Sequence, residues 1–351
     1  MTTIAAAPRC PFHRAPTAAI VRSSSRALAP VRIPGPRGLA SLSMLVGLAR
    51  APLPTLRAAR ATYGDVFRIG MGPLPDVFFV ASPEGARQVL VERADNYVKS
   101  RTYDGLKCFV GDGLLTNAGG DAWKHRRRLA APAFHRGRVA ALTARMAAAT
   151  AQTIEGLAGR REVEVHGEMT QLTLNIVGRT LFDVDLSKDR TLARAFDVAI
   201  RFASTYAVSP IRLPLSWPLP SNWRFLRARA TLDAFVDRLI AERRAQPGDR
   251  GDLMSTLMSE RTDGGALDDR ELRDEVMTMV GAGHETTAAG MAWLLSLLAR
   301  HPEIQERARR EVQSVLGTRR PEMEDLERLE YVGRIVEEAL RLHPPIWVIE
   351  H

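Results

Sequence analysis

Residues Asp269–Arg300 keep apolar side chains at helical spacing for 32 residues without a break. At 1.5 Å per residue this is a rod of about 48 Å, long enough to cross a whole domain, so the rest of the chain has to be built around it. Asp268 or Asp269 can cap its start, and Glu271 and Glu275 sit toward the positive end of its dipole. Its centre reads Gly281-Ala282-Gly283-His284-Glu285-Thr286-Thr287-Ala288-Ala289-Gly290. Three glycines and two adjacent threonines make this a weak stretch of helix by propensity. Small residues here serve one of two ends: a large flat group approaches the backbone, or a second helix crosses closely. Thr286 lies four residues after Ala282, so its hydroxyl can bond that carbonyl and loosen the helix. Glu285 beside Thr286 sets an acid next to an alcohol, a pair suited to relaying protons. His284-Glu285 also opens the zinc-protease pattern His-Glu-x-x-His, but Ala288 occupies the second histidine position and excludes it.

Around this rod the pattern is mostly helical. Helical spacing recurs over Leu53–Tyr63, Glu84–Arg93, Trp123–Arg128, Arg138–Leu157, Met169–Leu181, Asp189–Phe202, Arg224–Gln246, Asp252–Glu260, Pro302–Leu316 and Met323–Leu342. Two short β-like runs, Val66–Ile69 and Val77–Val80, are separated by glycines and prolines and form a hairpin or adjacent strands. The expected fold is mainly α with a small β-sheet. Ser209–Trp223 interrupts the helices with Pro210, Pro214, Pro218 and Pro220 among apolar residues. It reads as a loop packed on the core, or as a lid or membrane-facing loop.

The net charge of +9 comes entirely from the first 60 residues, which hold nine arginines, no lysine and no acid. The remainder balances 40 basic against 40 acidic residues, which excludes a nucleic-acid binder by composition. Residues 1–37 read as a basic leader, ended by the turn-forming Pro34-Gly35-Pro36, and 38–351 as one domain. The leader resembles either a transit peptide or a disordered start. The apolar run near Gly38–Ala49 is too short to span a bilayer, so membrane contact is at most peripheral. Cys10 and Cys108 form neither a disulfide framework nor a metal-ligand pattern, which makes the cytoplasm the expected compartment.

Two further groups carry chemistry. Trp123 and Arg127 in Gly120-Asp121-Ala122-Trp123-Lys124-His125-Arg126-Arg127-Arg128 share one helical face. They can grip the carboxylate of a flat ligand, or belong to a solvated basic helix anchored by one Trp. In Glu337-Glu338-Ala339-Leu340-Arg341-Leu342-His343-Pro344-Pro345, Arg341 can pair with Glu338 or, as an ordinary surface pair, with Glu337.

In this order the segments resemble the cytochrome P-450 family of heme-thiolate monooxygenases. The match rests on Trp123-x-x-x-Arg127, on Ala282-Gly283-His284-Glu285-Thr286-Thr287, and on Glu338-Ala339-Leu340-Arg341 with the turn after it. Tyr63-Gly64-Asp65-Val66 and His301-Pro302-Glu303-Ile304-Gln305 support it. The resemblance implies a heme held by Trp123 and Arg127 and lying against Ala282 and Gly283. It implies proton delivery by Thr286 and Glu285, and a structural role for Glu338 and Arg341. It implies a small lipophilic substrate and electrons from a separate ferredoxin or flavoprotein reductase. The family's axial cysteine belongs to a loop downstream of the Glu-x-x-Arg helix, and no residue here matches it, so the sequence reads as a C-terminally incomplete member of the family. Two alternatives stand beside this: a non-catalytic remnant that does not ligate heme, and a Mg²⁺-dependent α-helical isoprenoid synthase. For the latter, Asp268-Asp269 begins the Asp-Asp-x-x-Asp pattern but Leu272 fails it.

Overall fold

The structure is a computed structural model that describes residues 32–71, 74–209, 212–258 and 267–351. The described residues form two compact units, 32–98 and 99–351. The expected leader lies outside the described residues for its first 31 positions.

In the unit 32–98, helices α1 (Leu39–Arg50) and α2 (Pro52–Tyr63) precede strands β1 (Val66–Met71) and β2 (Leu74–Val80). The strands form the expected hairpin, antiparallel, with Val66 opposite Val80 and Ile69 opposite Val77. Phe67 and Ile69, two residues apart, point to the same face of β1 and are buried with Ala59 of α2. The Phe67 ring stacks on Phe79 at 5.3 Å. Helix α3 (Pro83–Arg87) opens as its sequence requires: Ser82 Oγ accepts the Gly85 N–H at 3.0 Å, with Pro83 in the first turn. The helix expected over Glu84–Arg93 then widens into a looser turn over Gln88–Glu92.

The unit 99–351 is all helix and loop among its described residues. Its helices are α4 (Tyr103–Val110), α5 (Gly120–Ala130), α6 (Arg136–Leu157), α7 (Val165–Val177), α8 (Arg190–Val208), α9 (Pro220–Ala245) and α10 (Leu253–Leu257). They are followed by α11 (Asp269–Arg300), α12 (Pro302–Leu316) and α13 (Glu330–Leu342). Helix α11 is the expected rod. Asp268 caps it in a reciprocal box with Glu271: the Asp268 carboxylate accepts the Glu271 N–H at 2.7 Å, and the Glu271 carboxylate accepts the Asp268 N–H at 3.2 Å. Helices α4, α7, α9 and α13 pack along it. The core gathers where α11 meets α8 and α9, around Phe196, Phe225, Leu232, Val236, Val276, Met277 and Val280.

Two expectations are corrected. Met323–Leu342 is not one helix: a single turn over Met323–Glu327 ends before α13 begins at Glu330. Asp325 causes the break, because its carboxylate accepts the Glu322 N–H and pairs with Arg319. Helix α4 carries no sequence signal of its own. It forms because Gly105 lets it press against Ala203 and Ala207 of α8. The proline-rich segment Ser209–Trp223 is a loop over its described part only as far as Leu219; Pro220–Trp223 instead form the first turn of α9, where proline is tolerated. Asn222 of α9 donates to the carbonyls of Pro214 and Trp217 and folds it back, Leu215 packs on the core, and Trp217 is exposed.

Candidate active site

The middle of α11 divides its small residues between two tasks. Gly283 faces α7, where a Cβ would stand 2.9 Å from Val177 Cγ2. The Thr173 hydroxyl of α7 donates to the His284 carbonyl at 2.9 Å across the same crossing. Close helix contact is therefore the use of Gly283 on the side where a side chain would project. Ala282, one residue earlier, is exposed in the middle of the rod. The Thr286 hydroxyl donates to the Ala282 carbonyl at 2.8 Å, the local bond its spacing foretold.

Glu285 and Thr286 do not face one another. Successive residues are about 100° apart on a helix, and the Glu285 charge acts on Arg201 of α8, which is paired with Asp197 at 2.6 Å. His284 is buried with its ring edge on Phe196 at 4.8 Å. Its Nδ1 lies 2.6 Å from the Val280 carbonyl and so carries the proton. Burial holds its pKa below the usual imidazole value, which keeps the ring neutral. Ala288, where a zinc helix would place histidine, is buried against Ala149, Met169 and Leu172.

On α5, the Trp123 indole donates to the Leu114 carbonyl at 3.0 Å. The Arg127 guanidinium lies over its ring, 5.1 Å from the centroid. Arg127 is exposed and has no carboxylate partner among the described residues. Asp121, Trp123, Lys124, Arg127, Arg128 and Ala131 line an open groove of about 560 Å³. Of the three consecutive arginines, Arg126 is the one that turns inward. It donates to the Asp112 carbonyl and to Glu271 Oε1 at 3.0 Å, and stands 3.6 Å from Glu275 Oε1. Helical spacing signals this, since Arg126 shares the buried face of α5 with Leu129 and Ala130.

The two regions are connected. The Leu114 N–H donates to Glu275 Oε2 at 3.2 Å, and the Leu114 carbonyl holds the Trp123 indole. Glu275 is seven residues before Ala282, nearly two full turns, so the two share one stripe of α11 about 10.5 Å apart along the axis. Trp123 is thus anchored next to the stripe that exposes Ala282. The sequence places Glu275 only toward the positive end of the helix dipole and assigns Asp274 no role; neither is legible there as holding residues 111–114.

The sequence profile of the cytochrome P-450 family matches residues 33–351. The chain belongs to the cytochrome P-450 family. It is 35% identical over 320 residues to "Cyclooctatin synthase" of Streptomyces melanosporofaciens, a match spanning 90% of this chain and 69% of that one. It is 34% identical to "Cyclooctat-9-en-7-ol 5-monooxygenase" of the same organism, over 89% of this chain and 68% of the relative. "Pentalenene oxygenase" of Streptomyces avermitilis is 32% identical, over 85% and 66%. The P-450 chain is accordingly a heme-dependent monooxygenase. An open cation stacked on an indole, beside a stripe of α11 bared at Ala282, fits a flat macrocycle bearing carboxylates.

Arg341 grips Glu338 in a two-pronged pair, Nε to Oε2 at 2.6 Å and a terminal nitrogen to Oε1 at 2.7 Å. Arg341 thus takes Glu338 and not Glu337, and it holds the Glu338 carboxyl below the usual glutamate range. The pair is exposed on α13. Helix α13 is docked on α11 by Leu340 and Pro345, which meet the open side of Gly290, and by His343, stacked on Trp293 at 4.0 Å. None of the described helices is long and apolar enough to cross a membrane.

Proposed function

We propose that Arg127, seated on the Trp123 ring, holds a heme propionate while Ala282 offers the macrocycle a bare stretch of α11. The observation that carries this reading is the Arg127–Trp123 stack, tied through Leu114 to the stripe of α11 that includes Ala282. Gly283 contributes by letting α7 close behind the stripe. Glu338 and Arg341 hold α13 in the shape that docks on α11. Cys108 is not the axial thiolate in this reading, since its buried thiol donates to the Asp104 carbonyl within α4.

Bound heme supplies dioxygen activation with two electrons from a redox partner, a ferredoxin or a flavoprotein reductase. Thr286 Oγ1 holds a proton on the Ala282 carbonyl and can turn it outward to a group seated beside that residue. Glu285, the residue before Thr286 on α11, supplies protons to the site. The substrate is a small lipophilic molecule that meets the heme near Ala282. In assays with a ferredoxin–reductase pair, Thr286→Ala is expected to lower product formed per electron consumed by about tenfold, below the about 10²–10⁴-fold of a general acid removed outright. Unchanged coupling would remove Thr286 from proton delivery.

A further inference from the structure

We propose that Glu275, aided by Asp274, is a positioning residue for the Trp123–Arg127 anchor: the two carboxylates clamp the backbone of residues 111–114 to α11, and the clamped loop fixes the indole. This rests on the reading above for what the anchor holds.

The clamp is continuous. Asp274 Oδ2 accepts the Asp112 N–H at 2.8 Å, and Glu275 Oε2 accepts the Leu114 N–H at 3.2 Å. Gly111, at φ 75°, turns the chain into the clamp, and the Asp274 carboxylate fills the place a side chain at 111 would need. Leu114 turns its other face to α5, where its carbonyl receives the Trp123 indole N–H. Arg126 closes the loop from the far side by donating to the Asp112 carbonyl. Nothing else in the described structure hydrogen-bonds the indole, so its placement depends on where Leu114 sits.

Glu275 is fully buried, and its Oε1 makes no hydrogen bond. Burial pushes its carboxyl up to about 7, against the pull of the Leu114 N–H and Arg126 and with a further push from Asp274. The charged groups facing this cluster are Arg126 from α5, Lys107 from α4 through Asp112, and Asp233 from α9 through Arg273. Glu271, Arg273 and Asp274 complete it from α11 itself. Protonation at Oε1 leaves Oε2 able to accept from Leu114 but removes the attraction to Arg126. The grip of the loop therefore changes near neutral pH.

The test follows the Trp123 indole N–H by NMR in the full chain without heme, its signal identified by its loss in Trp123→Phe. The expected result is a shift with an inflection near pH 7 in the parent and none in Glu275→Gln. In Glu275→Ala, indole exchange with solvent is expected to quicken at least tenfold. An inflection that persists in Glu275→Gln, or an indole indifferent to Glu275→Ala, overturns the proposal. If Glu275→Ala does not fold, the parent and Glu275→Gln titrations decide. A hemin titration separates the clamp from the heme reading. A severalfold weaker uptake in Glu275→Ala supports the proposal, and unchanged uptake despite a loosened indole overturns it. A parent chain that takes up no hemin while its indole responds assigns the failure to the heme reading, not to the clamp.

Discussion

At the scale of single residues, the site is organised by which polar groups are buried. Glu275 is the extreme case, a carboxylate inside the helix bundle whose pKa is raised from 4.5 to about 7. A raised acid stabilises the fold in its protonated form. That contribution is fully present below the unfolded value near 4.5 and is lost as pH rises through about 7. Glu275→Gln imitates the protonated form at every pH. Urea unfolding at pH 5 and pH 8 is therefore expected to show the variant gaining on the parent at pH 8 by up to about 3 kcal/mol, the equivalent of the shift. An equal difference at both pH values would place the titration elsewhere. The sequence exposed part of this arrangement. Thr286 bonds Ala282 as its spacing requires, and Asp268 caps α11. Helical spacing puts Arg126 on the face of Leu129 and Ala130, but it does not name the acids of α11 that Arg126 meets there. Those partners are about 150 residues away in sequence, beyond the reach of helical spacing.

At the scale of elements, α11 reconciles the two uses of small residues that its sequence left open. The crossing with α7 takes Gly283, and the exposed stripe takes Ala282. This gives the two positions different sensitivities. Gly283→Val forces a side chain into Val177 and is expected to destabilise the fold by about 1–3 kcal/mol. Ala282→Val meets no neighbour of that kind and is expected to cost less than about 1 kcal/mol, mostly from helix propensity. Chemical denaturation of both variants checks this; equal losses would mean that the crossing tolerates bulk. Long periodic helices and the hairpin were legible because their signals are local. The break before α13 was not, since Met323, Leu326 and Leu329 continue the apolar period and Asp325 overrides it with a capped turn. Helix α4 was not legible either, because its contact with α8 is tertiary.

At the scale of the whole molecule, three groups spread over more than 200 residues of sequence meet on one rod. Trp123 and Arg127 are tied to the near half of α11 through Leu114, Thr286 lies at its middle, and α13 with the Glu338–Arg341 pair docks farther along at Gly290 and Trp293. Their order in the sequence was enough to resemble a family, and the match of residues 33–351 bears it out. Sequence order did not show how the groups are connected, because the carboxylate clamp at Asp274 and Glu275 exists only once the chain is folded. In the proposed heme site, one face of α11 and the groove of α5 receive the same flat ligand. Hydrogen–deuterium exchange of the chain with and without hemin tests it most directly. Slowed exchange over residues 120–128 and 278–287 together is expected. Hemin binding that leaves both segments unchanged, or protects only other parts of the chain, would contradict it.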